Sequence, residues 1–290
     1  MKIFAAVAFA LAAALATAHA ADGKIDIVAA ENFYGSVAQE IGGDRVSVTA
    51  VLNNPDQDPH LFEVSPAVIR QVAAAQIVIY NGADYDPWIE KLLKVTARPG
   101  RVVIAAADLL NRKAGDNPHL WYDPATMPAV ASAIAGALAA ADPVHRDDYS
   151  ARLKTFLASL VPLNEKIAAV RGKYAGTPVT ASEPVFGPMA DALALKMSNT
   201  RFQLAIMNDT ESSARDVAAV ERDLTTHKVR VLFYNKQASS KVVQHLVDLA
   251  RAAHVPVVGV TEIAPPGMSY RDWMLMQLDE TQRALAGSSS

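Results

Sequence analysis

Short apolar runs rich in valine and isoleucine alternate with helical stretches from residue 24 to residue 107, and the same alternation returns from residue 177 onward. KIDIVAA (24–30), VSVTAVL (46–52), QIVIYNG (76–82) and RVVIAAA (101–107) read as strands, with ENFYGSVAQEIGG, SPAVIRQVAAA and DPWIEKLLKV as helices between them. In the second stretch TPVTASE (177–183), FQLAIM (202–207), KVRVLFYN (228–235) and VPVVGVTE (255–262) read as four more strands, again separated by helical segments. Strands spaced by helices in this way form a parallel sheet covered by helices. The fold class expected is therefore α/β, with two similar lobes, each built on a parallel four-stranded sheet.

The segment joining the halves has a different pattern. Tyr149, Leu153, Phe156, Leu160, Leu163, Ile167, Val170 and Tyr174 fall at alternating spacings of four and three, which lays one apolar stripe along a helix. At about 1.5 Å per residue such a helix spans roughly 40 Å. Pro162 predicts a kink in its middle. The expected organisation is a lobe over residues 21–143, one long linking helix over 144–175 and a second lobe over 176–290.

Residues 1–20 carry an address. Lys2 is followed by the apolar run FAAVAFALAAALATA and then by Ala18-His19-Ala20, small residues at the positions a signal peptidase reads, so a cleavable signal peptide ending at Ala20 is expected. A membrane anchor is the weaker reading, because the run falls short of the roughly 20 residues a spanning helix needs. The chain has no cysteine. An exported protein without cysteine relies on its core, has no thiol to carry a lipid, and must hold any transition metal with His, Asp, Glu or Met. With 27 basic and 30 acidic residues its net charge is −3, which points to neither nucleic acid nor an anionic membrane.

Two histidines sit in the same local setting: DPHLFEVSP (58–66) holds His60, and NPHLWYDP (117–124) holds His119. Each follows a proline and precedes leucine, an aromatic residue and an acid. In open α/β sheets ligands bind beyond the carboxyl ends of the strands. His60 follows the second strand, His119 the fourth, Glu183 ends the first strand of the second half and Glu262 ends its last. Two donors from each half could meet in a cleft between the lobes, and imidazole with carboxylate suits first-row divalent ions. His145, His227, His245 and His254 read as surface residues. Met268, Met274 and Met276, at helical spacing beside Trp273, read as core, and Asp209 and Glu211 as helix caps. The sequence has no glycine-rich phosphate loop after a strand, no serine nucleophile elbow and no HExxH.

These motifs resemble those of the metal-specific solute-binding proteins of bacterial ABC importers, the zinc and manganese uptake group. DPHLFEVSP is similar to that family's first-ligand motif and NPHLWYDP to its second. YNGADYDPWIEKLL resembles its asparagine-glycine segment, TASEPVF the third-ligand segment, and VTEIAPPGMSYRDWM the stretch that supplies the fourth ligand. The likeness covers nearly all of the chain beyond the signal peptide. It implies one ion in the interlobe cleft, held by His60, His119, Glu183 and Glu262, and a membrane permease of the ABC type as partner. Glu262 stands where the family normally has aspartate, and Asn235 in FYNKQ where it tends to have glutamate. FGPMADALAL lacks the usual tyrosines and glycine, and the long histidine-rich or acidic loop of many zinc-type members is missing between the two histidines.

The expected function is thus that of a periplasmic binding protein, monomeric and not an enzyme, that captures Mn²⁺, Zn²⁺ or Fe²⁺ and delivers it to the permease. Two nitrogens and two carboxylates favour Mn²⁺ or Fe²⁺ by hardness, while affinity in general rises toward Zn²⁺. The alternatives are a secreted metal-dependent hydrolase, for which Asp123 and Glu63 are the nearby general bases, and an adhesin whose metal site is structural.

Overall fold

The strand Ile25–Glu31 (β1) has every residue but Asp26 buried, as a strand covered on both faces must be. The computed structural model describes residues 23–238 and 240–287; the expected signal peptide lies outside them. From β1 the chain runs through α1 (Asn32–Gly42), β2 (Val46–Leu52), α2 (Pro66–Ala74), β3 (Ile77–Tyr80), α3 (Pro87–Val95), β4 (Val102–Ala105), α4 (Ala106–Leu109) and α5 (Thr126–Ala141). All pairings are parallel, with Ile25 opposite Val46, Ile27 opposite Ile77 and Ile77 opposite Val102, in the strand order β2-β1-β3-β4.

The second half repeats this plan. It comprises α6 (Arg146–Ser159) and α7 (Val161–Tyr174) as the connection, then β5 (Pro178–Ala181), α8 (Gly187–Ala192), β6 (Lys196–Ser198), α9 (Thr200–Met207), α10 (Ala214–Thr225), β7 (Leu232–Asn235), α11 (Lys241–Ala252), β8 (Val257–Val260) and α12 (Tyr270–Ala286). Its order, β6-β5-β7-β8, is the first sheet's order shifted by four, and it too is wholly parallel. In both sheets the strand order reverses direction beside the first strand, which is where a doubly wound sheet opens a binding crevice.

Three local expectations are corrected. FQLAIM is not a strand but the helix α9, and the second strand of that sheet is the three-residue β6. Phe202 and Ile206, four residues apart, both face the core formed with Val220, Leu224 and Leu246, while Leu204 between them, which a strand would put on the same face, is exposed as a helix requires. The N-cap of α10 is Ser213, whose hydroxyl accepts from the Asp216 amide, and not Asp209 or Glu211. The linking helix is two helices: it breaks at Leu160, and Pro162 lies in the first turn of α7, where its missing N–H leaves no bond unmade.

One apolar core runs through both lobes. Phe33 of α1 packs on Trp121 at 4.9 Å and on Trp273 of α12 at 5.8 Å, Tyr122 packs on Trp273 and on Phe186, and Phe186 stacks on Phe233 at 4.3 Å. Direct hydrogen bonds cross the same boundary. Asn32 exchanges two with Ala264, Tyr122 donates to the Thr261 carbonyl, Tyr270 to that of Trp121, and Asn117 to that of Pro184.

Candidate metal centre

Three of the four expected ligands converge. His60 rides on a short 3-10 turn after β2, opened by Pro59, with the Asp58 side chain accepting from the His60 amide at 2.9 Å. His119 precedes a second such turn, Leu120–Tyr122. Glu262 lies two residues past β8. Their donor atoms fall within 4.8 Å of one another. Glu262 Oε2 is 3.5 Å from Nε2 of both histidines, so one carboxylate oxygen sits between two imidazoles. Glu262 and His119 are fully buried, while His60 keeps a quarter of its side chain exposed.

Glu183 lies one step back. It stands directly after β5, buried, with Oε2 bound to the side-chain amide of Asn235 at 2.8 Å. The same Nδ2 donates to Glu262 Oε1 at 2.6 Å, so one amide ties two carboxylates together. Asn235 is itself fixed: its backbone N–H donates to Ser182 Oγ at 3.1 Å, and its Oδ1 accepts from the Gln237 amide at 3.0 Å.

The electrostatics follow from burial opposed by local partners. Burial works against the Glu262 charge, yet the imidazoles of His119 and His60 beside it hold its carboxyl well below the usual range, so it is ionised. Burial pushes Glu183 up to about 7, against the pull of Asn235. Burial lowers the His119 imidazole. For His60 burial is again the largest influence, but the Glu262 carboxylate 3.5 Å away, with Asp58 and Glu183 beyond, outweighs it and raises the pKa.

The tautomer of His119 is set by its neighbour. Asn117 Oδ1 accepts from the His119 amide at 3.1 Å and lies 2.8 Å from Nδ1, which places the proton on Nδ1 and leaves Nε2 as a lone-pair donor. That Nε2 and Glu262 Oε2 are both buried and without a hydrogen-bond partner. Two buried, unpartnered acceptors facing each other at 3.5 Å are a donor pair that a cation between them would satisfy.

Sequence reasoning missed the supports. Asn81 accepts from the Tyr34 hydroxyl and donates to the Pro118 carbonyl, anchoring the His119 turn to β3. Gln237 accepts from the Glu262 and Ile263 amides and donates across the cleft to the Gln57 carbonyl in the His60 loop. Tyr85 stacks edge-on between the two imidazoles. The only signal was position: each follows a strand end, and short amides there are too common to single out. The general bases weighed for an enzyme are spoken for or outside. Asp123 accepts from the Ala125 amide and faces Arg112, and Glu63 is exposed. His227, His245 and His254 are exposed, His145 is half-buried, and Met268, Met274 and Met276 pack in or against the core.

Beneath the site lies a buried pair of acids. Asp86 accepts from the amides of Asn81 and Gly82, and Glu31 beside it has both carboxyl oxygens without a partner. Burial, then the charge of Asp86, raises Glu31 well above the usual range, and burial raises Asp86 to about 7. The folded Glu31–Asp86 pair thus keeps protons between pH 3.8, the ordinary value of Asp86, and about 7, where the unfolded chain has lost them. Stability of the metal-free protein should fall as pH rises across that window, by up to about 1.4 kcal/mol per pH unit for one proton. Asp86→Asn should flatten this slope in urea unfolding measured from pH 5 to pH 8; an unchanged slope would place the proton elsewhere.

Residues 27–284 match the family model described as zinc-uptake complex component A, periplasmic. The chain belongs to this family. It is 23% identical over 285 residues to a putative metal-binding protein of Treponema pallidum, covering 90% of this chain and 87% of the relative. To the manganese-binding lipoprotein of Bacillus subtilis it is 24% identical over 251 residues, 82% and 80% of the two chains. Among solved structures, the periplasmic zinc-binding protein of Treponema pallidum superposes with a TM-score of 0.75 at 18% identity, covering 92% of this chain and all of that one. A manganese-bound periplasmic metal-binding protein from Candidatus Liberibacter asiaticus gives 0.73 at 19% identity, covering 90% and 100%. These likenesses support the two-lobed fold.

Proposed function

We propose that this protein is the extracytoplasmic capture component of a divalent-metal importer, which binds one Mn²⁺ or Zn²⁺ ion between its lobes and hands it to an ABC-type permease. The observation that carries the reading is the convergence of His60, His119 and Glu262 from both lobes, with His119 Nε2 and Glu262 Oε2 buried and unpartnered. Glu183 supplies the fourth donor through the oxygen not committed to Asn235. Family membership and relatives named for manganese or zinc support the same cargo. Residues 1–20 act as the export signal and the mature chain works in the periplasm as a monomer, with lobes at 21–143 and 176–290. The family's role is transport and not catalysis.

Binding follows from the site's chemistry. The ion replaces the acidic proton of Glu183 and any proton on His60, and cancels the charge of Glu262, so affinity rises with pH through the neutral range. His60, the exposed ligand on a loop tied across the cleft by Gln237, lies at the entrance. Native mass spectrometry of the purified mature chain, with elemental analysis, is expected to find one transition-metal ion per chain, and none in Glu262→Gln at equal loading. An ion retained at full stoichiometry in that variant would refute the site.

A further inference from the structure

Asn235 occupies an unusual position: one Nδ2 with two hydrogens, and two buried carboxylates that each give it one oxygen. Resting on the capture reading above, we infer that Asn235 is a specificity-determining residue, which leaves Glu183 and Glu262 one free oxygen each and thereby makes a four-coordinate, zinc-selective site.

A carboxylate that chelates an ion must turn both oxygens toward it. Here Glu183 Oε2 and Glu262 Oε1 are tied back to the same amide at 2.8 and 2.6 Å, and only Glu262 Oε2 faces the imidazoles. The amide cannot yield by rotating. A flip would point its oxygen at two carboxylates and present its NH₂ to the Gln237 N–H that Oδ1 now accepts, and the residue is 1% exposed with its backbone N–H held by Ser182. Glu262 cannot slide away either, because its own amide is bound by Gln237.

The donor spacing agrees. Donors 3.5 Å apart, each about 2.1 Å from an ion, subtend about 113°, near the tetrahedral angle. A right-angled pair around a six-coordinate ion at about 2.2 Å would sit only about 3.1 Å apart. Two imidazoles and two one-oxygen carboxylates complete a tetrahedral shell, which Zn²⁺ accepts without loss. Mn²⁺ and Fe²⁺ favour more oxygens than this arrangement releases. Ligand hardness alone pointed the other way; the amide reverses the preference by fixing how many oxygens can bind.

The test uses Co²⁺ as a geometric reporter, with competition titrations of Zn²⁺ against Mn²⁺, on the mature protein and on Asn235→Leu and Asn235→Asp. The parent is expected to give the intense visible bands of tetrahedral Co²⁺ and to prefer Zn²⁺ by orders of magnitude. Asn235→Leu, similar in volume and without donors, should weaken the bands and cut the Zn²⁺/Mn²⁺ ratio by about tenfold. Asn235→Asp, which keeps the acceptor for Gln237, should shift both in the same direction. Weak six-coordinate bands in the parent overturn the inference whatever the variants do, so a variant that misfolds does not protect it. So do parental bands and an unchanged ratio in a variant with native near-ultraviolet dichroism. A parent that binds neither Co²⁺ nor Zn²⁺ refutes the capture reading itself, a separate outcome.

Discussion

His119→Ala is expected to lower affinity for Zn²⁺ or Mn²⁺ by about three orders of magnitude, beyond the tenfold to hundredfold typical of losing an outer partner. The imidazole supplies one of three buried donors, and its Nε2 is already oriented by Asn117, so no neighbouring group can take its place. The same change should destabilise the metal-free protein by about 2 kcal/mol, because it empties the space of a fully buried ring that packs edge-on against Tyr85 and Trp121. His60→Ala separates the two effects. Its side chain is partly exposed on a loop, so affinity should fall by a similar factor with little change in melting temperature. Chelator competition and thermal melts of both variants check this. Parental affinity in either one would remove it from the ligand set.

The second large effect lies away from the ion. Trp273→Ala should cost about 4 kcal/mol and lower the melting temperature by roughly 10 °C, while the protein still unfolds in one transition. Trp273 is fully buried on α12 of the second lobe, yet it packs on Phe33 and Tyr122 of the first. Its loss opens a cavity where the lobes join, and the remaining aromatic contacts and the Asn32–Ala264, Tyr122–Thr261 and Tyr270–Trp121 hydrogen bonds keep them one cooperative unit. Calorimetry on the metal-free variant decides it, since two resolved transitions would mean that the lobes fold independently. Metal added to this variant should restore much of the loss, because an ion bridging both lobes binds only the folded state.

Much of the fold was legible in the chain. Strands β1 to β5, β7 and β8 stand out because they are short apolar runs between helical stretches, most of them rich in β-branched residues, and the two proline-histidine motifs stand out because each repeats the other. The misread element was also physical in origin. A six-residue apolar run such as FQLAIM fits a buried strand or one face of a helix equally well, and only the packing of Phe202 and Ile206 against α10 and α11 selects the helix. The linking segment reads in sequence as one helix kinked at Pro162, whereas the chain forms two helices that break at Leu160, because a proline fixes where helical bonding can restart and not where it stops.

The candidate site divides in the same way. The residue types and their places after strand ends follow from local pattern, so His60, His119, Glu183 and Glu262 could be named from sequence. What no local pattern contains is the distance between residues far apart in the chain. Tertiary structure alone brought Glu262 Oε2 to 3.5 Å from two imidazoles of the other lobe, set Glu183 behind them, and placed Asn235 between the two carboxylates. Sequence determined which donors the protein possesses. The pairing of β5, β7 and β8 within the second lobe decided which oxygens of its two carboxylates are tied back, because the hydrogen bond that restrains each depends on a partner 52 residues away from Glu183 and 27 from Glu262.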